Sequence, residues 1–164
     1  MLLISLTLNI WNDILDCMNK KQLILFDDDC LFCNGAVKFI EKRDSEDVFM
    51  FAGIKSILGQ AFMEHYRLMD KSDTFALIGH DNCLTMSDAV LSIVDQLDGA
   101  WPLLGMFRII PKKIRDLIYT SFGKYRYRLF GKADECSVPS RDLIKKFAGD
   151  LSIEQWKTGQ WRVE

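Results

Sequence analysis

The chain has 164 residues, 49% hydrophobic and 27% charged, with a net charge of −2. That is material for one globular domain and short for two. The near-neutral balance gives no bulk field for nucleic acid or an acidic membrane, and no apolar run approaches the roughly 20 residues that span a bilayer.

Residues 1–17, MLLISLTLNIWNDILDC, are apolar but end at acidic Asp13 and Asp16. They lack the basic start and small-residue cleavage site of a secretory signal. The protein is therefore expected in the cytoplasm, with 1–17 a dispensable extension and 18–149 one domain. Gln22–Phe26 (QLILF) is a short apolar run that suits a buried central strand. Asn34 to Arg43 reads as a helix with Ala36, Val37 and Ile40 on its inner face. Val48–Phe51 is the next strand, so the first two strands are predicted parallel, as in a βαβ unit. Ile54–Tyr66 is a weaker helix. Thr74–Ile78 and Cys83–Met86, separated by Gly79-His80-Asp81-Asn82, are predicted to form a hairpin. Ser87 is the expected N-cap of a helix that buries Val90, Ile93, Val94 and Leu97.

Residues 100–149 form a helical C-terminal part, and 150–164 a tail. Pro111 is placed to start a helix that keeps Ile114, Leu117, Ile118, Ser121, Phe122, Tyr125 and Leu129 on one face. Gly123 is a place where that helix could break. Its cations, from Arg108 to Lys132, could hold a phosphate or RNA backbone. A solvated helix face with its aromatics packed on the sheet is the better reading, and no nucleic-acid partner is expected. Leu143, Ile144 and Phe147 mark a last helix. The fold class is α/β, a mixed four-stranded sheet with flanking helices.

Chemistry concentrates in Phe26 to Cys33, FDDDCLFC. Five cysteines, Cys17, Cys30, Cys33, Cys83 and Cys136, argue against a disulfide framework in a chain without an export signal. Only Cys30 and Cys33 have meaningful spacing. At a helix start, the first thiol faces the positive end of the dipole and its free N–H groups. Cys30 would then attack a disulfide and Cys33 would resolve the mixed disulfide. Asp27, buried at the strand end, could take the Cys33 proton. Asp28 and Asp29 add negative charge that opposes the dipole. A structural zinc site would want two more close ligands. Cys83 and Cys136 stand alone and His65 and His80 are unpaired, so no metal is assigned and redox is favoured.

Asp27, Cys30 and Cys33 match an Asp-x-x-Cys-x-x-Cys motif, and the chain resembles the DCC thiol–disulfide oxidoreductase family. Ser87-Asp88-Ala89, Pro111–Tyr119, Tyr125–Gly131 and Cys136 are similar to further family signatures, so the resemblance runs over about residues 22–147. It implies a thioredoxin-like fold and dithiol exchange, with no cofactor beyond the Cys30–Cys33 disulfide. It also makes Asp88, Arg115, Asp116, Arg126 and Cys136 candidates for function. Asp28 replaces the usual glycine of the motif. Thr85-Met86-Ser87 stands where thioredoxins have a cis-proline, so Met86 and Ser87, with Asp28, Asp29, Leu31 and Phe32, are candidates to face the substrate. The partners implied are a protein or small-molecule thiol or disulfide and an electron donor. The alternative is a non-catalytic binding module whose dithiol holds a metal or is idle.

Overall fold

The structure, a computed structural model, describes residues 21–68, 75–79 and 82–131, together with Lys146 and Ala148. Strand β1 (Gln22–Phe26) leads through helix α1 (Leu31–Glu41) to β2 (Phe49–Gly53), which lies parallel to β1 with Gln22 opposite Phe49 and Phe26 opposite Gly53. Helix α2 (Ile57–His65) follows. β3 (Ala76–Ile78) returns antiparallel to β1, and β4 (Cys83–Thr85) runs antiparallel to β3. The sheet order is β2-β1-β3-β4. Helix α3 (Met86–Val94), a 3₁₀ helix over Trp101–Ile109 and the long helix α4 (Lys112–Phe130) complete the described chain.

The central strands are apolar over Leu23–Phe26 and Ala76–Ile78 because helices cover both faces of the sheet. Ile24, Phe26, Phe49, Phe51 and Leu77 meet Val37 and Ile40 of α1 and Ala89 and Ile93 of α3. Leu23, Leu25, Met50, Ala52 and Ile78 meet Leu58, Phe62 and Met63 of α2 on the other face. This is a thioredoxin-like α/β arrangement with an additional helical region after it. Among the described residues, no helix is long and apolar enough to cross a membrane.

Several boundaries differ from expectation, each for a local reason. Helix α1 begins at Leu31, not Asn34, because Cys30 is its N-cap: its backbone is extended and its Sγ accepts the Cys33 N–H at 3.4 Å. Helix α2 begins after Ser56, whose hydroxyl accepts the Gly59 N–H at 3.1 Å. Strand β4 stops at Thr85, and Thr85, not Ser87, holds the N-cap position of α3, with no side-chain capping bond. Met86 turns the chain into that helix at φ +56°. Ser87 lies inside the first turn, where its hydroxyl donates to Asp116 Oδ1 at 2.5 Å.

Helix α4 departs most. The apolar face expected to be buried, Ile114, Leu117, Ile118, Phe122, Tyr125 and Leu129, is exposed. The inner stripe is Asp116, Tyr119, Gly123 and Arg126, at helical spacing. Its polar groups reach buried partners on other elements, and such pairing outweighs the apolar pattern when those partners need satisfying. The helix passes through Gly123 without a break. Its aromatics do not pack on the sheet as expected: Phe122 and Phe130 pack on Phe32 of α1, at ring-centroid distances of 4.9 and 5.1 Å.

Two glycines give opposite predictions. A side chain at Gly123 would meet nothing, so Gly123→Ala should raise stability by about 1 kcal/mol. A Cβ at Gly59 would collide with the Gly53 carbonyl, so Gly59→Ala should cost about 1–3 kcal/mol as the backbone shifts. Chemical denaturation of both variants checks the pair. The expectations for residues 1–17, Cys17, His80, Cys136, the last helix and the tail 150–164 lie outside the described residues.

Candidate active site

Leaving β1, the chain turns through Asp27-Asp28-Asp29. The Cys30 N–H donates to the Asp27 carbonyl at 3.3 Å and the Asn34 N–H to the Cys30 carbonyl at 3.0 Å, so turn and helix start are one hydrogen-bonded unit. Asn34 Nδ2 also donates to the Asp28 carbonyl at 3.1 Å. Cys30 and Cys33 are free thiols, and each is 0% exposed. They sit in the core layer between the sheet, α1 and α3. Cys30, expected as the attacking thiol, is thus as fully covered as Cys33.

Asp27 is 4% exposed and Arg126 of α4 is 3% exposed. Arg126 Nη2 donates to Asp27 Oδ2 at 2.8 Å, while the Asp29 N–H donates to Asp27 Oδ1 at 3.1 Å. Burial pushes the Asp27 carboxyl up from its ordinary value, against the opposing pull of the Asp29 N–H and the Arg126 guanidinium. Burial also pushes the Cys33 thiol up, helped by its hydrogen bond to Cys30 and opposed by Arg126.

The remaining candidates scatter around this centre. Asp29 is exposed and ion-paired with Lys55, and Asp28 places its carboxyl against Gly53. Leu31 and Phe32 are exposed apolar residues at the start of α1. The strand registers set Thr85 opposite Ala76 and Ala76 opposite Leu25, so Met86 and Ser87 share the sheet edge of the dithiol. Ser87, however, is engaged with Asp116 and accepts from Arg115 Nη1 at 3.3 Å. Arg115 and Lys112 both pair with Asp88, at 3.0 and 2.5 Å, and Lys112 reaches Asp116 at 3.1 Å. Asp88, Arg115 and Asp116 therefore fasten α4 to the start of α3. Of Asp88, Arg115, Asp116 and Arg126, it is Arg126 that pairs with the Asp27 of the motif. These contacts also tie Lys112, Arg115 and Arg126 into ion pairs, which removes them from any phosphate-binding face.

Between α1, α3 and α4 lies an apolar cavity of about 270 Å³, lined by Phe32, Phe39, Phe75, Ile93, Phe122 and Arg126 among others. Tyr119 borders it, and its hydroxyl accepts the Phe75 N–H at 2.9 Å. Among the described residues no group of three or more His, Cys, Asp and Glu side chains could hold a metal ion.

The sequence profile of the DCC1-like thiol-disulfide oxidoreductases matches residues 24–132. The chain belongs to this family. The match covers every site residue above and stops short of Cys136. The chain is 38% identical over 128 residues to the uncharacterized protein YuxK of Bacillus subtilis, covering 77% of this chain and 93% of that protein. It is 31% identical over 122 residues to a chloroplastic DCC family protein of Arabidopsis thaliana, covering 73% of this chain and 71% of that one. No solved structure matches. Family membership and the close cysteine pair give the protein a redox-related site.

The sequence reading missed the link from Asp27 to Arg126. The signal was present as a stripe of Asp116, Tyr119, Gly123 and Arg126 at helical spacing, hidden by the stronger apolar pattern beside it.

The raised carboxyl of Asp27 has a consequence for stability. A carboxyl whose folded value lies above its unfolded value binds more protons when folded, so its contribution is lost as pH rises through that interval. Asp88 and Asp116, held low mainly by Lys112 and Ser87 respectively, act with the opposite sign. Asp27→Asn should therefore show a steeper gain of stability than wild type as pH rises from about 4. Denaturation midpoints across pH check this, and a shallower gain would contradict it.

Proposed function

We propose that the protein is a thiol–disulfide oxidoreductase working through Cys30 and Cys33. The observation that carries the reading is Cys30 as N-cap of α1, with Cys33 one turn in and donating its N–H to the Cys30 sulfur. The Cys30 sulfur thus stands at the end of α1 where free backbone N–H groups point. The Cys30 thiolate attacks one sulfur of a substrate disulfide, a Cys30–substrate S–S bond forms, and the other substrate sulfur leaves as thiolate. Cys33 passes its proton to Asp27, attacks Cys30 Sγ, and releases the second substrate thiolate. The substrate gains two electrons, the dithiol becomes a disulfide, and the Asp27 proton goes to the leaving sulfur. A thiol reductant restores the dithiol. Leu31, Phe32, Asp28, Asp29 and the Met86–Ser87 edge are the surfaces a substrate would meet. The setting proposed is the cytoplasm.

The burial of both thiols favours one other reading, a scaffold whose dithiol is idle. It also makes a prediction. Iodoacetamide should label Cys30 and Cys33 far more slowly in the folded protein than in urea, since reaction requires the cover to open. Disulfide reduction by the wild-type protein, lost in Cys30→Ser, supports exchange. Equal activity in Cys30→Ser would leave the scaffold reading.

A further inference from the structure

Arg126 reaches Asp27 of the dithiol motif from the far end of a helix that is secured at its start. Lys112, Arg115 and Asp116 hold the start of α4 to Ser87 and Asp88. Tyr119 then takes the Phe75 N–H at 2.9 Å. Arg126 stands roughly three turns, about 15 Å, beyond Asp116 on the same face. The helix thus acts as a measured arm, and Phe122 and Phe130 clasp Phe32, two residues past Cys30, as Arg126 meets Asp27.

The geometry points to Arg126 as a positioning residue for the resolving step: docking of α4 fixes the Asp27 carboxylate where it can take the Cys33 proton. The inference rests on the exchange reading above. It deepens that reading by making the added helical region part of the redox site.

The arrangement is specific. Asp27 Oδ1 accepts from the Asp29 N–H and Oδ2 from Arg126, so both its own turn and α4 hold the carboxylate. Among the described residues, the charged and titratable groups around it are Asp28 and Asp29 in the turn, Cys30 and Cys33 of α1, Lys55 after β2, and Arg126 of α4. Lys55 is exposed and committed to Asp29, so Arg126 is the buried cation of this group. A nearby cation favours the charged carboxylate, and its removal should leave Asp27 protonated to a higher pH.

The test follows the Asp27 carboxyl carbon by NMR titration, beside the pH profile of resolution, read as release of a Cys30 mixed disulfide. Arg126→Gln should move both acid midpoints up by about 1 pH unit or more. Resolution below the wild-type midpoint should slow about tenfold for each unit. Arg126→Lys keeps the charge without the planar fork and should return the midpoints close to wild type. Unchanged midpoints in Arg126→Gln would overturn the proposal. If Arg126→Gln does not fold, the wild type still decides: the Arg126 side-chain N–H signals must shift with the Asp27 midpoint, and indifference to it overturns the proposal. A wild type that forms no Cys30 mixed disulfide would sink the exchange reading, while the NMR titration still judges the Arg126–Asp27 link separately.

Discussion

Cys33→Ser should accumulate a stable mixed disulfide on Cys30, while Cys30→Ser should form none and lose disulfide reduction down to background. The asymmetry follows from the helix start. Cys30 caps α1 and accepts the Cys33 N–H, whereas Cys33 lies one turn inside with its thiol pushed up by burial. A sulfur held protonated makes a poor first nucleophile. It becomes competent once a neighbouring base takes its proton and a mixed disulfide lies beside it. Mass spectrometry of each variant after reaction with a model disulfide reads the result directly. A mixed disulfide on Cys33 in Cys30→Ser would reverse the assignment.

Arg126→Ala should be the most destabilising single change at the site, by about 3–5 kcal/mol. It strips the cation from a carboxylate that is 4% exposed and removes a side chain that is itself 3% exposed. Asp27→Ala should cost a similar amount from the other side. The double change Asp27→Asn with Arg126→Gln should recover part of the loss, because replacing both members of a buried pair costs less than stranding one. A denaturation cycle over the four proteins measures the coupling. Strict additivity would mean that the 2.8 Å contact contributes nothing to stability.

The sheet was legible because its strands are short apolar runs whose period and spacing admit little else. The βαβ start, the antiparallel hairpin and the position of the dithiol all followed from QLILF, VFMF and the turn residues around Gly79. Helix starts were harder, since they depend on which side chain accepts an N–H. The cysteine pair placed Cys30 at the start of α1, but nothing in the spacing announces that its sulfur accepts the Cys33 N–H or that Ser87 is drawn away to Asp116. Helix α4 was misread for a physical reason. Its apolar residues follow helical periodicity, yet the docked face is chosen by Asp116, Tyr119 and Arg126, whose partners lie far away in sequence. Long-range polar pairing of that kind leaves only a weak stripe in a single sequence.

The most direct test is the redox equilibrium of Cys30 and Cys33 against a graded glutathione or dithiothreitol series, trapped and weighed by mass spectrometry. A reversible two-electron transition confined to Cys30 and Cys33 is the result expected, and its midpoint places the protein on the reducing or oxidising side of its compartment. Two thiols that stay reduced across the whole series in the folded protein would contradict the assignment of thiol–disulfide exchange.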